Sequence, residues 1–154
     1  MKRLFTLLLS AALLLSVFPL CRVGAAAPAQ VLDIIRYDDG TYLEILMESA
    51  PSSRAGGTQT KSKSYVYHST DGTSLWKFTL TGTFTYNGTS ATCTASSCSV
   101  AIYDSSWYTI AKSATRSKNV AYGTATLGCN IMGTTVAEKT YNLTLTCDKN
   151  GNFS

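Results

Sequence analysis

The chain has 154 residues, enough for one domain, and only 14% of them are charged while 45% are hydrophobic. The formal net charge of +4 overstates its basicity: Lys2, Arg3 and Arg22 lie in an N-terminal leader, and without those three the 13 basic residues become 10 against 9 acidic ones. A balance so close to neutral, and so poor in arginine, excludes a nucleic-acid-binding surface; the mild basic surcharge from Lys61 onward suits at most lingering on anionic wall polymers.

The leader comes first. Lys2 and Arg3 precede an apolar stretch from Leu4 to Leu20, and small residues follow at Gly24 to Ala27 and at Ala29. This is the layout of a secretory signal peptide, with cleavage after Ala25 or Ala29. The stretch is just long enough to span a membrane, but Pro19 and the alanine-rich end favour removal. Cys21 follows Leu20 rather than the small residue a lipoprotein site needs, and no C-terminal apolar segment or wall-sorting motif is present. The expectation is a secreted, extracellular protein with no stable membrane anchor once the signal is removed.

Beyond the leader the pattern is β throughout. "VLDIIRYDDGTYLEILME" reads as two apolar-rich strands around an Asp-Asp-Gly turn. "SAPSSRAGGTQTKSKS" is polar and contains Gly and Pro, as linkers do. Turn signals then recur at Asp71-Gly72, Asn87-Gly88, Asp104-Ser105-Ser106, Arg116 to Asn119, Met132-Gly133 and Asn150-Gly151. Between them the alternation has period two: Trp76, Phe78, Leu80, Gly82, Phe84 and Tyr86 share one face, and Thr79, Thr81, Thr83 and Thr85 share the other, read as a plain solvent face. Tyr141, Leu143, Leu145 and Cys147 repeat it, as do Ala121, Gly123, Ala125, Leu127 and Cys129, whose small members predict close approach of an opposing sheet. The division expected is a signal peptide over 1–29, an N-terminal β-hairpin over 30–48, a linker over 49–62 and a β-sandwich domain over 63–154. The fold class is all-β, an antiparallel β-sandwich, with a flattened β-barrel as the alternative.

Cys93, Cys98, Cys129 and Cys147 each follow the apolar phase of their own strand. Their spacing lacks the tight knuckles of a metal site and the Cys-x-x-Cys of a redox motif. An even number in an exported domain is the pattern of structural disulfides. Cys93 and Cys98 are an odd number of residues apart, so only a bulge or turn at Ser96-Ser97 lets both face inward; the pairing favoured is Cys93 with Cys147 and Cys98 with Cys129.

"DGTYLEILMESAPSSRA", "KSYVYHSTDGTSLWKFTLTGTFTYNGTSATC", "YDSSW" and "LTLTCDKNG" together resemble a family of small secreted proteins from Gram-positive, largely gut-dwelling bacteria, classed as a domain of unknown function. The resemblance runs over almost the whole mature chain. It implies secretion and a β fold, with cysteines recurring at the positions of Cys93 and Cys147 and Cys98 and Cys129 as an addition. It brings no activity, ligand or catalytic residue.

Catalytic patterns are thin. His68 is the single histidine and is read as a surface turn residue, not the base of a triad. Asp71, Asp104 and Asp148 sit in or beside turns, where Asp serves the backbone, and no calcium or phosphate motif occurs. The expectation is no enzyme, no metal and no cofactor. Trp107, Tyr108, Tyr65, Tyr67 and Tyr122 exceed what one core face hides and are the candidate ligand-binding residues, forming an aromatic platform for sugar. The function expected is a non-catalytic binding module for cell-surface or environmental glycan. The alternative is protein–protein interaction or assembly through the N-terminal hairpin, with a partner or a second copy.

Overall fold

The structure is a computed structural model and describes residues 28–49 and 57–154. The expected signal peptide therefore lies outside the described residues except for Pro28 and Ala29, as does half of the expected linker, 50–56. Eight strands follow in chain order: β1 (Gln30–Arg36), β2 (Tyr42–Ser49), β3 (Thr58–His68), β4 (Ser74–Tyr86), β5 (Ala91–Ile102), β6 (Trp107–Ser117), β7 (Val120–Ile131) and β8 (Thr134–Thr146). They form two antiparallel sheets that do not close into a barrel, β1-β2-β3-β4-β5 and β6-β7-β8. The all-β sandwich expectation holds, and the barrel alternative does not.

The turns lie where Gly, Asn and Asp predict them. Gly72 and Gly88 adopt positive φ in the β3–β4 and β4–β5 hairpins, and Met132 with Gly133 supplies two positive φ values in a row between β7 and β8. Asp39, Asp71, Asp104 and Asp148 each accept hydrogen bonds from backbone N–H groups two to four residues on. Side-chain hydrogen bonds from Thr41, Ser69, Ser106 and Asn152, followed by these backbone bonds, hold the four carboxyls below the usual range, Asp71 at about 2 through Ser69 and then Thr73.

The N-terminal hairpin packs into the larger sheet: β2 pairs with β3 along its length, from Tyr42 opposite His68 to Ser49 opposite Lys61. Strand β3 consequently begins at Thr58, within the stretch expected to be linker. Hydrogen bonding of β2's second edge outweighs the polar composition of "TQTKS", because a threonine- and serine-rich strand needs only one apolar face to be held.

The core lies between the sheets. From the larger sheet come Leu43, Trp76, Phe78, Leu80, Phe84 and Cys93; from the smaller come Ala121, Ala125, Leu127, Tyr141, Leu143, Leu145 and Cys147. A Cβ on Gly123 would stand 3.1 Å from Leu80 and 3.2 Å from Phe78, so the small residues of β7 accept the large ones of β4, as the alternation implied. Beyond β5 the chain crosses to the smaller sheet through Tyr103 and Asp104, whose N–H groups both donate to the Leu75 carbonyl (2.9 and 3.1 Å). That crossing sets Trp107 at the end of the sandwich.

Candidate functional site

Four elements converge there. The β1–β2 turn brings Tyr37 and Asp39; β3 brings Tyr67 on its inner face; β6 begins with Trp107; and β8 presents Ala137, Lys139 and Tyr141 at alternate positions. Together they line an open cavity of about 190 Å³. The three β8 residues continue the inward phase of Leu143 and Leu145, and the one β7–β8 bulge, at Val136, lies just upstream of them, where Cys129 faces Ala137 but Asn130 faces Thr135.

The walls are rings in mutual contact. Tyr67 meets Tyr37 edge-on at 6.0 Å and Trp107 edge-on at 5.4 Å, and it stacks on Trp76 at 5.3 Å. Trp76, fully buried behind them, also packs on Tyr141 at 4.7 Å, and its Nε1–H has no partner among the described residues. The Lys139 ammonium lies 5.0 Å from the Tyr37 ring and 5.5 Å from the Tyr141 ring, within cation–π range. Burial pushes the Tyr141 hydroxyl far above the usual tyrosine range, so it remains an O–H donor at any physiological pH. The arrangement offers flat apolar faces for stacking, with an ammonium and a carboxylate among them for hydrogen bonding.

Of the five aromatic residues expected to bind ligand, the structure brings Tyr67 and Trp107 together. Tyr65 lies alongside, edge-on to Tyr141 at 6.3 Å, with its hydroxyl donating to the Asn142 carbonyl (3.2 Å). Tyr108 does not join them. It stands opposite Gly128 in the β6–β7 pair, and a Cβ on Gly128 would fall 2.4 Å from its ring, so Tyr108 fills the space a glycine leaves on a strand. Tyr122 is 41% exposed and, adjacent to buried Ala121 and Gly123, points to the outer face of the smaller sheet. A strand's alternation puts Tyr108 and Tyr122 opposite in phase to Trp107 and Ala121, and this separates them from the site. Tyr37, Asp39, Lys139 and Tyr141 were not expected. Continuing the phase of Tyr141 upstream would have found Lys139; nothing local ties a hairpin-tip tyrosine to it.

The disulfide expectation needs correction. Cys93, Cys98, Cys129 and Cys147 are all free. Cys98 lies opposite Leu80, which packs on Gly123; from Gly123 to Cys129 is roughly 20 Å of strand at ~3.3 Å per residue. Inter-sheet register thus puts Cys98 and Cys129 beyond the ~7 Å Cα separation a disulfide tolerates. Cys93 and Cys147 are neighbours with free thiols: their N–H groups donate to consecutive carbonyls of the β6–β7 turn, Lys118 (2.7 Å) and Asn119 (3.1 Å). Burial pushes the Cys147 thiol up to about 11, with Asp148 and Cys93 adding to it. The bulge that lets Cys93 and Cys98 share a face is at Thr94, not at Ser96-Ser97.

His68 is not at the surface either. It is 8% exposed, stacks on Tyr42 at 4.5 Å, and places Nε2 3.2 Å from Glu44 and Nδ1 3.2 Å from the Gly72 carbonyl. Ser74 Oγ lies 3.4 Å from Nδ1. The Gly72 carbonyl and the Glu44 carboxylate, both acceptors, thus hold one ring nitrogen each.

No family model, no curated protein and no solved structure matches this chain.

Proposed function

We propose that this chain is an extracellular, non-catalytic binding module that seats a sugar ring of a cell-surface or environmental glycan in the cavity at the end of the sandwich. The observation that carries this reading is the convergence of Tyr37, Tyr67, Trp107 and Tyr141 from four separate elements around one open volume of about 190 Å³. That volume is below the ~300 Å³ at which drug-sized pockets begin, so it suits a single small ring rather than a long ligand. Stacking on aromatic faces supplies the apolar contact, and Lys139, Asp39 and the Tyr141 hydroxyl supply polar partners for ring hydroxyls. The leader over 1–29 supports an extracellular setting.

Retention of the protein on insoluble wall polysaccharide tests the reading, with Trp107→Ala and Lys139→Ala compared with Tyr122→Ala. Losing a stacking face should weaken retention by about tenfold or more, whereas Tyr122→Ala should leave it unchanged. A wild-type protein that passes through unretained, or an equal response of all three variants, overturns the proposal.

A further inference from the structure

Strand β1 is the outer edge of the five-stranded sheet, and every one of its seven residues is exposed. Val31 is 49% exposed, and Leu32, Ile34 and Ile35 are each 42% exposed. Aliphatic residues on both faces mark a strand suited to the inside of a sheet, not its rim. The strand contains neither lysine nor proline to blunt the edge, and its one bulge, at Leu32, leaves Ile34 to Arg36 in regular register.

Hydrogen-bond phase shows which backbone groups are unclaimed. Tyr37 N–H donates to the Thr41 carbonyl at the head of the hairpin. Alternation along the pair then turns Ile35 toward β2 and Ile34 away from it. The Ile34 N–H indeed finds no strand partner; it donates to the carboxylate of its own neighbour Asp33 at 2.8 Å.

We propose that β1 pairs antiparallel with β1 of a second copy of this chain, about a two-fold axis at Ile34, joining two five-stranded sheets into one. A two-fold requires a residue to face itself. Centring on Ile34 lets the two copies exchange N–H and carbonyl groups at that residue and sets Ile34 against Ile34; centring on Asp33 would instead oppose two carboxylates. Asp33 acts as a gate: its carboxylate holds the N–H that pairing must recruit. This inference is independent of the glycan reading. An edge of this length covers less than the ~800 Å² per partner of a standard interface, so half-association falls at roughly 10–100 µM.

Sedimentation velocity of the purified protein across that range tests it. The weight-average mass should climb from monomer toward dimer. Ile34→Pro removes only an edge-facing N–H, which an edge strand tolerates, and should leave the protein monomeric. Ile34→Lys, which needs no backbone change and sets two ammonium groups against each other at the two-fold, should do the same. Asp33→Ala should tighten association several-fold. A wild-type protein that is monomeric throughout overturns the proposal. So does association that survives both Ile34→Pro and Ile34→Lys, or that is lost instead with Ile131→Lys on the β7–β8 hairpin.

Discussion

Gly82 sits in the inward row of β4 between Leu80 and Phe84, both large and fully buried. A Cβ there would fall 2.5 Å from one ring carbon of Phe84, 2.8 Å from another and 3.3 Å from Ala121 on the opposite sheet. Phe84 has little room to yield, because Phe153 packs edge-on against it at 5.3 Å. Gly82→Ala should therefore destabilise by overpacking, by about 1–3 kcal/mol, despite the higher strand propensity of alanine. A shift of the urea midpoint at unchanged slope would measure it; an unchanged midpoint would mean that Phe84 turns aside at no cost.

The threonine stripe of β4 acts at the scale of the strand. It is not the plain solvent face its composition suggested: Thr83 pairs with Thr60 at 2.9 Å, Thr81 with Ser62 at 2.8 Å and Thr79 with Ser64 at 3.0 Å. These hydroxyl pairs run down the β3–β4 ladder and add side-chain bonds to the backbone ones. Ser64 is fully buried, so the pair at Thr79 is the one whose loss leaves a hydroxyl away from water. Thr79→Val should cost about 1–3 kcal/mol through that unsatisfied hydroxyl. Adding Ser64→Ala should recover part of the loss. A double-mutant cycle with no coupling would show that Ser64 finds another partner.

For the whole molecule, the cysteines distinguish one admissible cross-link, Cys93 with Cys147, from the pairing of Cys98 with Cys129. Cys93 belongs to the larger sheet and Cys147 follows β8 of the smaller, so a bond between them would tie the layers together. Glutathione disulfide should oxidise this pair by exchange, two thiols losing their hydrogens as two molecules of reduced glutathione leave. The closed loop of roughly 50 residues should add about 4 kcal/mol of stability in the chain-entropy model. Cys98 and Cys129 should not join each other. Peptide mapping without reduction, alongside thermal unfolding with and without the oxidant, checks this; a Cys98–Cys129 peptide would contradict the inter-sheet register.

The division between what was legible and what was not follows the range of the interactions. Strand alternation, the Gly, Asn and Asp turns, the inward rows of β4, β7 and β8, and hence the sandwich, were determined by the sequence itself, because period two and positive φ are properties of adjacent residues. Trp107 and Tyr67 were legible for the same reason as aromatic residues in excess of one core face. Only the tertiary structure decided that Tyr37, Lys139 and Tyr141 meet them, that Tyr108 covers Gly128 instead, and that Cys93 lies by Cys147 while Cys98 and Cys129 stand apart. Those outcomes depend on the bulge at Thr94 and on how far one sheet is shifted along the other. A single extra residue in a strand reverses every side chain after it, and a slide between layers leaves no trace in either strand's own pattern.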